Sequence, residues 1–238
     1  MMKRTAFLLL TLLLPVLPAA AQQRPVSFGQ EKLKYSIRHN LFPGTIGTMS
    51  FKGKDDGAVY RLDAVLTAAV GSIYTLDCSY GSVFYQDAAL TPVSATREQK
   101  EKKYWAKGLY DWSAPGKVHM DVTKSTRPHR DETLEWSGTV RDLLGMLWWL
   151  RTLDYDKARL DITGNALLLD HDALPVTLTS HEKKTIKFDG KQRPVIEVVL
   201  SQGGKEALRM TLSDDARRTP LKFSIGLSFG TIKGTLIQ

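Results

Sequence analysis

The sequence predicts a mainly β protein: an antiparallel, barrel-like curved sheet of about nine to eleven strands, enclosing or packed on one apolar α-helix near residues 139–152. Three observations carry this expectation. Apolar side chains recur at every second position through most of the chain. Turn-forming pairs punctuate the alternating runs at hairpin spacing. A single stretch near residue 140 changes to the helical period.

The chain has 238 residues, and its first 21 read as a targeting segment. Lys3 and Arg4 form a basic start, Thr5 to Leu17 an apolar run, and Pro18-Ala19-Ala20-Ala21 a small-residue cleavage site. The apolar run falls short of the roughly 20 residues that cross a bilayer. The expectation is export and removal of residues 1–21, leaving one domain over 22–238 in the periplasm or outside the cell. No later stretch is apolar enough to span a membrane, and no cysteine follows the cleavage site to carry a lipid. Cys78 is the only cysteine, so no internal disulfide forms and the core alone must stabilise the fold. In the run Leu76-Asp77-Cys78-Ser79-Tyr80 it reads as a small buried hydrophobe rather than a nucleophile.

Each strand is justified by its alternation. Leu33, Tyr35 and Ile37 share one face, with Lys34, Ser36 and Arg38 on the other. Tyr60, Leu62, Ala64 and Leu66 repeat the pattern, as do Val118, Met120 and Val122. Leu174, Val176 and Leu178 follow, then Ile196, Val198 and Leu200, where Val195 and Val199 make both faces apolar. Leu208 to Leu212, Leu221 to Leu227 and Phe229 to Leu236 complete the set. Pro43-Gly44, Asp56-Gly57, Pro115-Gly116, Asp189-Gly190 and Gly203-Gly204 supply turns between them. One-sided alternation with short connections is the mark of antiparallel sheets. No internal repeat of solenoid or propeller length is visible.

The helical stretch places Val140, Leu143, Leu144, Leu147 and Trp148 on one face. Ser137 or Thr139 is the expected cap, with Asp142 in the first turn complementing the dipole. Met146, Trp149 and Leu150 make the helix apolar nearly all round, so it must be buried.

These segments resemble a known family. Val140-Arg141-Asp142-Leu143-Leu144-Gly145-Met146-Leu147-Trp148-Trp149-Leu150-Arg151-Thr152-Leu153-Asp154 is similar to the central helix of the DUF3108 family. So are Leu212 to Leu221, Phe229 to Leu236 and the opening Gly29 to Tyr35, which extends the likeness over about residues 29 to 237. The resemblance implies an exported bacterial protein with a barrel-like antiparallel β structure of the YmcC-like type. The family has no assigned activity, so no functional residue is carried over.

Sequence motifs exclude several chemistries. Four Gly-Lys pairs lack the Ser or Thr that a phosphate-binding loop places next to hold magnesium. His181-Glu182-Lys183-Lys184-Thr185 has Thr where a zinc protease needs its second His. His119 with Asp121, and His129 with Asp131, could each supply two ligands, short of the three or four of a zinc site. No Gly-x-Ser-x-Gly elbow occurs. Asp154 with Asp156, and Asp214 with Asp215, read as turn formers or as a glycosidase pair. The chain carries a formal charge of +8 without a basic stripe, which argues against nucleic acid. No catalytic residue, metal or cofactor is assigned.

The aromatic residues are the main candidates for function. Tyr104, Trp105 and Trp112 on one hairpin, with Trp148, Trp149 and Arg151 on the helix, read either as core or as the lining of a pocket for an apolar or saccharide ligand. The functional expectation is a non-catalytic periplasmic binding or envelope-assembly factor. A scaffold in an envelope complex, contacting other envelope proteins, and an envelope glycan hydrolase are the alternatives.

Overall fold

The computed structural model describes residues 28–71, 74–157, 160–169, 172–227 and 230–237. The expected signal peptide and Phe229 lie outside the described residues. Eight strands open the described residues: β1 (Glu31–His39), β2 (Gly47–Asp56), β3 (Val59–Val70), β4 (Tyr74–Tyr85), β5 (Pro92–Glu101), β6 (Tyr104–Asp111), β7 (Lys117–Lys124) and β8 (Arg127–Glu135). A short interlude follows, made of β9 (Thr139–Arg141), α1 (Leu143–Leu150), β10 (Asn165–Leu169) and β11 (Asp172–Pro175). The remainder is β12 (Thr177–Phe188), β13 (Lys191–Gln202), β14 (Lys205–Ser213), β15 (Pro220–Leu227) and β16 (Gly230–Leu236).

Two antiparallel meanders join where β1 pairs with β16, through Tyr35↔Leu236 to His39↔Ile232. The result is a 13-stranded sheet in the order β12-β13-β14-β15-β16-β1-β2-β3-β4-β5-β6-β7-β8. Among the described residues no ladder joins β8 to β12, so the sheet is open. The strand number exceeds the expected nine to eleven because several strands hide their alternation. β8 is exposed at all but one of its positions, as a charged sheet edge that repels further pairing. Leu174 to Leu178 is not one strand: β11 ends at Pro175, and buried Val176 separates it from β12.

The helix is shorter than its hydrophobic pattern implies. Thr139, Val140 and Arg141 form β9, which pairs in parallel with β10. Asp142, not Ser137 or Thr139, is the cap: its Oδ1 accepts from the Leu144 and Gly145 N–H groups at 2.9 and 3.1 Å. A parallel pair needs a crossover, and α1 lies within the one between β9 and β10. At the other end the Thr152 hydroxyl donates to Trp149 O at 2.7 Å and Tyr155 Oη to Leu150 O at 2.7 Å, adding side-chain donors to carbonyls of the last turn.

Every residue of α1 after Leu143 is buried. Leu144, Leu147, Trp148 and Leu150 share one apolar cluster with Tyr35 and Ile37 of β1, Phe51 of β2, Leu62 of β3 and Phe223 of β15. The Trp148 and Phe51 rings lie 5.4 Å apart. A second cluster gathers Ala95, Tyr110, Val118, Met120, Val122, Val140, Ala166 and Leu168. Two cross-strand pairs show how closely the interior fills. Phe223 covers Gly234 directly opposite it, where a β-carbon would come within 2.3 Å of the ring, and Tyr60 reaches diagonally over Gly53, whose direct partner is Leu62.

Candidate functional site

The two arginines flanking α1 are both buried, and each has its own set of partners. Arg151 follows the last helical residue and is fully inaccessible. Its guanidinium donates to Glu31 Oε1 and Oε2, both at 2.7 Å, to Arg217 O at 2.9 Å and to Arg218 O at 3.1 Å. It lies 4.6 Å from the Phe28 ring and 4.9 Å from the Trp148 ring. This clamp ties the start of β1, the end of α1 and the β14–β15 turn together. It is a bidentate, desolvated ion pair between two aromatic faces. Arg218 stacks 4.9 Å over Tyr155, whose phenol burial pushes well above the usual range.

At the other end, Arg141 donates to Ala89 O at 2.6 Å and to the Asn165 amide oxygen, and lies 4.4 Å over Trp149. Burial pulls its pKa down to about 9, against the opposing pull of Asp87 and Asp142. It remains a cation at neutral pH. The neighbouring Asp142 carboxyl is raised by burial, although Ser82 Oγ donates to its Oδ2 at 2.8 Å. Both ends of the helix are therefore anchored by buried polar groups with named partners.

The six candidate residues do not form one site. Trp148, Trp149 and Arg151 are at most 1% exposed and belong to the helix and its clamp. Trp105 is 42% exposed and faces outward from β6. Tyr104, which opens the same strand, is half-buried. Trp112 packs against the second cluster and lines a cavity of about 230 Å³ with Pro92, Val118 and Val140.

A different place has the character of a ligand pocket. An apolar cavity of about 310 Å³ lies where β1, β3, β4, β5 and β16 end, beside the β1–β2 loop. Ile37, Leu66, Ala68, Leu76 and Ile232 line its inner wall, and Leu41, Phe42 and Ile46 its loop side. Three polar side chains reach it: His39, Tyr74 and Glu101. His39 is buried, and its Nδ1 accepts from the Leu41 N–H at 3.2 Å. Tyr74 is pushed up to about 12 by burial, and the Glu101 carboxylate adds to the effect. Leu41 is 66% exposed, an apolar side chain left in solvent next to an apolar hollow. No helix residue lines this cavity.

The physical reason is placement: Ser82 and Glu31, which hold the two ends of α1, lie in one cross-strand row through Gly53 and Leu62, so the helix crosses the strands at that level. α1 has eight residues and spans about 12 Å. β3 and β4 have twelve each and span about 40 Å. Arg151 holds the helix at the Glu31 end of β1, while the cavity begins at Ile37 and His39, roughly 20 Å or more along that strand. Sequence reading missed the pocket because its wall is drawn from five strands and a loop. The one available signal was Leu41-Phe42, two large apolar residues beside the turn pair Pro43-Gly44.

The other titratable groups have ordinary partners. The histidine pairings cross between strands: His129 meets Asp121 at 2.8 Å and His119 meets Asp131 at 3.5 Å. Among the described residues no group of three or more His, Cys, Asp or Glu could hold a metal. Asp156 and Asp214 both pair with Lys183, the latter at 3.7 Å. Asp215 accepts from Ser213 Oγ and from the Arg217 and Arg218 N–H groups, each at 2.9 Å, as a turn former does. No described helix is long and apolar enough to cross a membrane.

Fold and site together define a mainly β protein with a large antiparallel sheet, a single short helix among the described residues and an apolar hollow at one end. The chain belongs to the DUF3108 family, described as a protein of unknown function, which matches residues 34–237. Among solved structures it is similar to the crystal structure of a beta-barrel-like protein of domain of unknown function DUF1849 from Brucella abortus. The two share 13% identity and a TM-score of 0.54, over 90% of this chain and 98% of that one. That likeness is one of fold. No curated protein matches.

Proposed function

We propose that this protein is exported to the periplasm and holds an apolar ligand, without catalysis, in the cavity at the His39 end of the sheet. In this reading the sheet curls around α1, and the short helix seals only the Glu31 end. The single observation that carries the proposal is the hollow of about 310 Å³, walled by eight apolar side chains and reached by three polar ones. Its size lies in the range of small-ligand sites, and its lining follows their usual chemistry of an apolar body with a few orienting groups. An alkyl or acyl chain suits the wall, and a hydrogen-bonding head group suits His39, Tyr74 and Glu101. The basic, apolar, small-residue order of residues 1–21 supports export.

The test is a titration with a fluorescent fatty acid, repeated on Ala68→Phe, which fills the cavity from its wall. Saturable one-to-one binding that this variant abolishes, with an unchanged circular dichroism spectrum, is the expected result. Binding that is absent in the wild type, or equal in both proteins, overturns the proposal. Mass spectrometry of lipid extracted from the protein purified from periplasm then gives the natural ligand.

A further inference from the structure

We propose that the outer face of β3–β6 carries a second binding site, for a neutral oligosaccharide, centred on Trp105. β6 buries one large aromatic residue, Tyr110, and displays another, Trp105. Its inward positions are Ala106, Gly108 and Tyr110, with the Tyr110 ring over Gly108, while the indole of Trp105 points outward and is 42% exposed. An aromatic side chain of this size would stabilise the fold most if buried.

The indole does not stand alone. It borders a shallow groove of about 330 Å³ on the outer surface. Strand register sets out what lies beside it. Thr67, Asp77, Lys100 and Trp105 are successive cross-strand partners on β3, β4, β5 and β6. The next row on the same face runs Val65, Ser79, Glu98 and Lys107. With strands about 4.8 Å apart, each row is about 15 Å long. The backbone under the indole is fixed in both directions: Trp105 N–H donates to Ser125 Oγ at 3.1 Å, and Ser125 N–H donates to Trp105 O at 2.9 Å. A pre-ordered platform loses little entropy when a ligand arrives.

The chemistry of the rows selects the ligand. Two carboxylates, Asp77 and Glu98, are balanced by two ammonium groups, Lys100 and Lys107, and Lys107 Nζ already pairs with Glu98 Oε1 at 3.1 Å. An anionic ligand meets the carboxylates and a cationic one meets the lysines, so neither is favoured. A lipid chain finds little apolar surface beyond Val65 and the indole. A sugar ring satisfies all of it. Its C–H face stacks on the indole, its hydroxyls donate to Asp77 and Glu98, and they accept from Lys100 and Lys107. The site is separate from the interior cavity and does not depend on the reading of that cavity.

The experiment is a heteronuclear NMR titration of the full folded protein with cellohexaose, maltohexaose and chitohexaose in turn. At least one should shift the Trp105 indole N–H and the amides of Asp77, Lys100 and Lys107 saturably. Trp105→Ala should weaken that binding about 10-fold or more, the order of loss when a stacking partner is removed. Trp105→Phe should keep most of it, and Leu109→Ala, exposed on the same strand outside the groove, should leave it unchanged. The proposal is overturned if none of the three sugars moves these resonances at about 10 mM, where even a millimolar site is mostly filled. Shifts that Trp105→Ala does not weaken overturn it as well. So does movement of these resonances with protein concentration alone, which would mark the face as a self-association surface.

Discussion

Replacing Arg151 should unfold the protein more readily than any surface substitution. Its guanidinium is fully buried and makes four hydrogen bonds, two of them to Glu31, whose side chain is itself only 11% exposed. Arg151→Met keeps most of the volume and removes the charge. Glu31 is then left desolvated without a counter-ion, and the Arg217 and Arg218 carbonyls lose their donor. Breaking one partner of such a pair costs about 3–5 kcal/mol. Glu31→Met strands the arginine instead and should cost a similar amount, about 3–5 kcal/mol. The double variant Arg151→Met, Glu31→Met buries no charge at all, so the loss should shrink to the unsatisfied carbonyls, about 1–3 kcal/mol. Urea unfolding of the four proteins, read by tryptophan fluorescence, gives the comparison as shifts of midpoint at constant slope. Losses that add to within about 0.5 kcal/mol, or a single-variant loss below about 1 kcal/mol, would show that the pair does not act as a clamp.

Three further outcomes are expected. Leu147→Ala, at a position 2% exposed in the main cluster, should lower stability by about 2–5 kcal/mol in the same urea assay. Gly234→Ala should lower it by about 1–3 kcal/mol, because the added β-carbon would sit 2.3 Å from the Phe223 ring; an unchanged midpoint would contradict the aromatic-over-glycine packing. Asp142 has a folded-state pKa raised by burial, so the unfolded chain loses this proton first and stability falls as pH rises above about 4. Asp142→Asn keeps the cap through its amide oxygen and lets Ser82 Oγ accept rather than donate. It should flatten that part of the pH profile and match or exceed wild-type stability at neutral pH.

What could be read from the sequence was periodic. β1, β3, β7, β13, β14 and β15 each put a large apolar residue on alternate positions, and the sheet buries that face. What could not be read was whatever depends on partners distant in the chain. Arg151 and Glu31 are separated by 120 positions, and a C-terminal arginine on a helix has a sufficient local explanation in the dipole. Val140 fits the helical stripe as well as it fits β9; only pairing with Ala166 decides between them. The aromatic residues grouped by sequence separate in space for a related reason. Trp105 and Tyr110 differ in parity on one strand, so one faces solvent and the other the core. Either parity of β6 carries apolar residues, and composition alone leaves its inner face undecided.

The placement of the polar groups bears on why the hollow can persist. An unfilled apolar interior forgoes dispersion contacts and tends to collapse. Filling the His39 end with the helix would require α1 to slide along the strands. Asp142 is bound to Ser82 on β4, and Arg151 to Glu31 on β1. Moving the helix by even a few ångströms would break both buried contacts before any apolar contact was gained. Arg141, held by Ala89 and Asn165 next to the cap, opposes the same motion. The polar anchors thus do more than offset the burial of their own charges: in the proposed reading they hold the helix across the Glu31 end of the sheet, away from the cavity at the His39 end.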